Sequence, residues 1–98
     1  MVTETQTLVY GGIDTHADTH HVAVVDHFGT QLGDLQVPAS SSGYRAAVRF
    51  MNRWPHLSGV GIECTGSYGA GMSRAVREAG LDVVEVNRPQ PLRSAPTR

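Results

Sequence analysis

The spacing of hydrophobic and polar positions changes period along the chain, and each change marks an element. Leu8 to Asp14 is an apolar run that closes on a carboxylate. After the polar stretch from Thr15 to Thr19, the run His21 to Asp26 (H-V-A-V-V-D) is rich in β-branched residues, so both runs have the length and residue types of strands. Asp26, His27, Phe28 and Gly29 supply turn chemistry. From Thr30 to Val37 the alternation is uneven, with Leu32, Leu35 and Val37 set among Gln31, Asp34 and Gln36, which predicts an edge strand with Gly33 as a bulge. These three strands make an antiparallel meander. The period then lengthens: Pro38 ends the third strand, Ser40, Ser41 and Ser42 offer N-caps, and Tyr44, Ala47, Val48 and Met51 recur at helical spacing. Pro55 stops that helix after Trp54. Val60 to Glu63 has the pattern of a short buried strand. Thr65, Gly66, Ser67 and Tyr68 lead into a second helix with Met72, Ala75, Val76 and Ala79 facing inward and Gly80 at C′. Asp82 to Val86 is the last strand. Residues 1–7 and 89–98 carry no period and are expected to be a disordered tail and an unstructured end, leaving one domain over residues 8–88.

The order β-β-β-α-β-α-β restricts the topology. Strand-helix-strand crossovers are right-handed and join parallel strands, whereas the meander is antiparallel. A mixed sheet that satisfies both places the first strand in the middle, beside the fourth, in the order 3-2-1-4-5. The predicted fold class is therefore α/β with a ribonuclease-H-like mixed sheet.

Composition adds limits. At 98 residues there is room for one small domain, and 40% hydrophobic with 17% charged residues is a globular composition. No apolar run approaches the roughly 18 residues of a membrane span, and the polar start (Thr3, Glu4, Thr5, Gln6) does not resemble a signal peptide; a cytoplasmic, prokaryotic protein with no membrane partner is expected. The lone Cys64 allows no intrachain disulfide. A net charge of −1 argues against a domain that grips nucleic acid by electrostatics alone. The charge is nonetheless segregated: residues 1–44 hold five acids and no Lys or Arg, while residues 45–98 hold all eight Arg against four acids.

Candidate chemistry follows from the strand order. Asp14 ends the first strand and Glu63 the fourth, which the order makes neighbours about 4.8 Å apart, at the carboxyl ends where open α/β sheets place their sites. Carboxylates that close repel unless a proton or a hard cation lies between them, and Mg²⁺ takes one or two carboxylates with waters and substrate phosphates. Metal-assisted phosphoryl transfer on a nucleic acid is one reading. Spacing alone leaves the other equally open, in which Asp14 caps a turn and Glu63 pairs with an Arg.

Three spaced blocks, G-I-D-T-H-A-D-T-H-H-V-A-V-V-D (Gly12 to Asp26), G-I-E-C-T-G-S-Y-G (Gly61 to Gly69) and V-V-E-V-N-R-P (Val83 to Pro89), tip the balance toward the metal site. Together they closely resemble the N-terminal RuvC-like domain of the DEDD transposases of insertion-sequence family 110. The resemblance implies DNA strand cleavage and transfer by four Mg²⁺-binding acids, the first two being Asp14 and Glu63 as catalytic and metal-binding residues. It also implies a C-terminal domain with a serine nucleophile and a structured noncoding RNA that pairs with DNA. The family continues beyond N-R-P to a D-x-x-D pair with the third and fourth acids, whereas the last acid here is Glu85 and the chain ends at Arg98. The expectation is a truncated or frameshifted transposase, inactive alone, that binds Mg²⁺ or Mn²⁺ weakly; Pro91 to Arg98 need not be family sequence.

Other residues are weighed individually. His16, Asp18, His20 and His21 are close enough in sequence to ligate Zn²⁺, although support for the turn or orientation of Asp14 is the favoured role of His16, Asp18 and His20. Arg45, Arg49 and Arg53 recur every fourth residue and are candidates to follow a nucleic-acid backbone, a solvated face being the commoner meaning of such a stripe. Thr65 and Ser67 open the second helix, where N–H groups can meet a phosphate; Gly66 equally just permits a tight turn. Two further functions remain open. One is a small ATP-binding module of the actin and sugar-kinase type, whose first hairpin also begins G-I-D. The other is a non-catalytic fragment that binds nucleic acid, forms a homo-oligomer, or joins an intact or complementing transposase chain.

Overall fold

A computed structural model describes residues 8–64 and 67–87. The disordered tail predicted for residues 1–7, the unstructured end predicted for 89–98 and the candidates Thr65 and Gly66 lie outside the described residues. The elements run β1 (Val9–Thr15), β2 (Thr19–Asp26), β3 (Gln31–Pro38), α1 (Ser41–Met51), β4 (Leu57–Cys64), α2 (Ala70–Glu78) and β5 (Val83–Asn87). They form one five-stranded sheet in the order β3-β2-β1-β4-β5. β1 pairs antiparallel with β2 and parallel with β4, and β4 pairs parallel with β5. This is the ribonuclease-H-like mixed sheet expected from the pattern.

Both helices cover the same face of the sheet. Along β1, Gly11, Ile13 and Thr15 are buried while Tyr10, Gly12 and Asp14 are less so; β2 buries His20, Val22 and Val24, and β4 buries Val60, Ile62 and Cys64. Alternate side chains of a strand point to opposite faces, so these buried sets form one layer. Against it pack Ala47 and Met51 from α1 and Met72 and Val76 from α2, all fully buried. Burial of each of Met51, Met72 and Val76 contributes about 1.5–3 kcal/mol relative to remaining in water. Among the described residues no helix is long and apolar enough to cross a membrane.

Several details depart from the sequence pattern. The irregularity in β3 is at Leu32, which the β2 register skips between Gly33 and Gln31, rather than at Gly33 itself. Gly33 is small because the Trp54 and Phe50 rings pack over it: a Cβ there would stand 3.0 Å from Trp54. The same packing ends α1 early, at Met51 with Asn52 as C-cap, since Trp54 turns back to meet Phe50 edge-on at 5.2 Å. In α2 the buried set is Met72, Ser73 and Val76, and Ala79 is exposed. Ser73 is tolerated inside because its hydroxyl donates to the Glu85 carboxylate of β5, which also accepts from Arg77 at 2.8 Å. The Ser73 hydroxyl first, and Arg77 second, hold the Glu85 carboxyl below its usual range.

His20 is fully buried beneath Tyr44, with ring centroids 5.8 Å apart and nearly parallel planes. Its Nδ1 accepts from the His16 backbone N–H at 3.4 Å, and its Nε2 is buried with no hydrogen-bond partner among the described residues. Burial lowers its pKa, aided by His16 and opposed by its bond to Thr19. The neutral ring is therefore the native form. Its contribution is complete above the unfolded value near 6.5 and is lost as the pH falls from there toward the lower native value. Replacing His20 by Phe removes this dependence, so the stability difference between the variant and the natural chain should shift in the variant's favour from pH 7 to pH 5. Urea unfolding at both pH values measures it, and a difference independent of pH contradicts the assignment.

Candidate active site

The face opposite the helices carries the candidate acids. Asp14 is in register with Glu63 across the parallel β1–β4 pair and with His21 across the antiparallel β1–β2 pair, and Val86 of β5 continues the row beside Glu63. Ile13, Ile62 and Cys64 face the helices, so the intervening Asp14 and Glu63 emerge together on the other side. They line a shallow depression of about 400 Å³ with Gly12, His21, Ala23, Gly61 and Val86. Gly12 and Gly61 are register partners in the step behind the acids, and a Cβ on either would meet nothing within 4 Å. The strand backbone is consequently bare beside the carboxylates.

Two histidines flank the acids. His16 Nε2 lies 3.4 Å from Asp14 Oδ2, with the His16 side chain exposed and the Asp14 side chain about half exposed. His21 Nε2 lies 2.7 Å from Asp34 Oδ2 on β3. A chain of contacts thus runs from buried His20, through the His16 backbone, to the His16 ring and Asp14. The C-terminal end of β4 is tied down separately: the Thr15 hydroxyl donates to the Glu63 carbonyl at 3.0 Å. Burial and the Glu85 charge push the neighbouring Cys64 thiol up, opposed by Thr15, so it stays protonated and belongs to the core.

The zinc reading of His16, Asp18, His20 and His21 is not supported by this geometry. His20 and His21 are consecutive strand residues and point to opposite faces, one under the helices and the other toward Asp34. Among the described residues no group of three or more His, Cys, Asp or Glu could hold an ion. Asp18 is an exposed turn residue whose carbonyl accepts from Ala39 N–H, and Asp26 caps its own turn, accepting from Phe28 and Thr30 N–H. Ser67 is exposed and its carbonyl accepts from Ala70 N–H; the second helix starts at Ala70 with Gly69 as N-cap, so Ser67 precedes the helix rather than opening it. Arg45 and Arg49 remain on α1, but Arg53 lies past its end and over the Phe50 and Trp54 rings, 5.8 Å from each centroid, so the three do not form one stripe. His21 is the residue that sequence reasoning placed only in the zinc set. Its signal was available in the hairpin register, which sets it directly across from Asp14.

Comparison with known proteins adds a second line of observation. A family model described as a transposase, that of the DEDD transposases of insertion-sequence family 110, matches residues 11–97. The match includes Pro91 to Thr97, so the proline-rich end falls within family sequence. No curated protein matches the chain. Among solved structures it is similar to the Pelota protein of Thermoplasma acidophilum, with a TM-score of 0.53 and 19% identity over 90% of this chain and 30% of that one. It is also similar to the ethanolamine utilization protein EutJ of Carboxydothermus hydrogenoformans, with a TM-score of 0.50 and 14% identity over 89% and 39% of the two chains. A Ppx/GppA family member of Aquifex aeolicus gives a TM-score of 0.51 and 9% identity over 84% and 36%. The chain therefore spans between three and four tenths of these structures, and at such identities the likeness is one of fold.

Proposed function

The chain belongs to the transposase family of the DEDD type, insertion-sequence family 110, and from that premise we propose that it serves DNA transposition, with Asp14 and Glu63 as the residues that hold Mg²⁺ or Mn²⁺. The observation that supports this reading is their register: two carboxylates on adjacent parallel strands, at the same level and on the same face. The donor set fits the ion. Both are hard oxygen ligands, and a site of one or two carboxylates completed by waters and phosphate oxygens is the usual manner of Mg²⁺ binding. When bound, a divalent ion there offsets charge on a phosphate oxygen and lowers the pKa of an attacking water or hydroxyl.

The chain's own residues do the rest. Asp14 and Glu63 are held on two rigid central strands, so their separation is fixed by the sheet. His16 fixes the orientation of Asp14 from the turn side. The bare backbone at Gly12 and Gly61 allows a polymer to approach without displacing a side chain. Two carboxylates hold such an ion loosely, so the chain alone binds metal weakly and cleaves DNA slowly or not at all.

Titration with Mn²⁺, followed by the loss of its free electron-paramagnetic-resonance signal, tests the assignment. Asp14→Asn and Glu63→Gln should each weaken binding by at least about 10-fold, as even the loss of an outer partner of a metal ligand does. Urea midpoints recorded alongside verify that both variants are folded. Equal affinity in the natural chain and either variant overturns the site. Saturable ATP binding that survives both substitutions would point instead to a nucleotide-binding module.

A further inference from the structure

On the covered side of the sheet, α1 and α2 lie side by side and enclose an outward-facing groove of about 640 Å³. Arg45 and Arg49 line it from α1 and Arg74 from α2, over a floor that includes Tyr44. The helices meet closely because Gly71 leaves room for the Tyr44 side chain: a Cβ at position 71 would stand 2.7 Å from its hydroxyl oxygen and 2.8–2.9 Å from its ring. All three arginines are exposed, and among the described residues none forms an ion pair. Helix α1 contains no acid at all, so its two arginines are uncompensated along its length. The remaining arginines of this region are committed elsewhere, Arg77 to Glu85 and Arg53 to the Phe50 and Trp54 rings. Glu78 is the sole acid lining the groove, which leaves it a surplus of two positive charges on a chain of net charge −1.

The arrangement repeats along the groove. Arg45 and Arg49 are one helical turn apart, a rise of about 6 Å, with Arg74 facing them from the second wall. A single small anion needs one guanidinium fork; cations repeated along a trench suit an anion that repeats as well. We propose that the α1–α2 groove seats the phosphate backbone of duplex DNA, without regard to sequence. This surface is on the opposite face of the sheet from Asp14 and Glu63, so it is a second DNA contact and not an extension of the candidate active site. It rests on the transposition reading only for the choice of DNA among polyanions.

The test uses the full chain, a fluorescent 20-base-pair duplex and anisotropy at several salt concentrations, with EDTA present so that the carboxylate site plays no part. Each phosphate contact removed should lower the slope of log K against log salt by about 0.9. The triple variant Arg45→Ala, Arg49→Ala, Arg74→Ala should lose nearly three from that slope, while the corresponding triple Lys variant retains it. Duplexes of unrelated sequence should respond alike. An unchanged slope in the triple Ala variant overturns the proposal, whatever the metal titration shows. So does polyglutamate competing as well as DNA at equal charge, which would assign the groove to an acidic protein, or an RNA hairpin binding more than tenfold tighter than the duplex.

Discussion

Replacing Gly43 by alanine is expected to destabilise the protein severely. Gly43 is in the first turn of α1 and is fully enclosed, and a Cβ there would come 1.9 Å from the Pro38 carbonyl oxygen and 2.9 Å from its carbon. Both are backbone atoms, which cannot rotate away as a side-chain tip would. Relief requires the helix start to lift off the end of β3. That movement breaks the bond from Ser40 N–H to the Pro38 carbonyl at 2.9 Å and disturbs the cap in which the Ser40 hydroxyl accepts from Gly43 N–H at 3.2 Å. The cap alone is worth about 1 kcal/mol. With the steric displacement added, the expected loss is about 4 kcal/mol, at the severe end for one substitution and a large share of the roughly 5–15 kcal/mol that stabilises a domain. Gly12→Ala and Gly61→Ala are the controls, because there the new methyl meets nothing within 4 Å; each should stay within about 0.5 kcal/mol of the natural chain. Urea unfolding followed by circular dichroism compares the three. A Gly43→Ala variant as stable as the other two would show that α1 does not start against Pro38.

The second large effect is expected at Ile62. Its side chain is fully buried at the centre of β4, flanked on neighbouring strands by Ile13 and Glu85. Ile62→Ala should lose about 2–5 kcal/mol, from the missing transfer energy together with the cavity left behind, whereas Ile62→Val should lose about 0.5–1.5 kcal/mol. Because Glu63 is the next residue on the same strand, the larger cavity also slackens the platform that holds its carboxylate. Mn²⁺ affinity should therefore fall in the alanine variant and remain near that of the natural chain in the valine variant. The same unfolding and titration measurements decide it; an alanine variant with undiminished affinity would separate the packing of β4 from the acids it carries.

The order of the sheet was legible because two local rules, hairpin pairing and right-handed crossover, leave few arrangements, and the β-branched runs at positions 21–26 and 83–86 are unambiguous. Asp14 and Glu63 followed from that order. What the pattern misjudged depends on contacts between distant residues. Helical spacing continues through Trp54, but tertiary packing of that ring on Phe50 and Gly33 ends α1 at Met51 and carries Arg53 away from Arg45 and Arg49. Ser73 reads as a surface residue until the partner on β5 is known, since its burial depends on Glu85. Arg74 has no distinctive spacing from Arg45; only the side-by-side placement of the helices brings both to one groove. His20 and His21 look alike in sequence, and the strand's two-residue period is what sends one into the core and the other toward Asp34.

The central pairing of β1 with β4 also governs when the acids can meet. β1, β2 and β3 are joined by short turns and can assemble from local contacts, but β4 reaches β1 only after the whole meander and α1 have been made, so Asp14 and Glu63 meet across 49 positions of chain. Closing that loop is the non-local step, and non-local steps dominate folding times. During synthesis the meander leaves the ribosome with one acid in place and no second to accompany it. The proposed site therefore remains incomplete until β4, about two thirds of the way along the domain, has paired with β1.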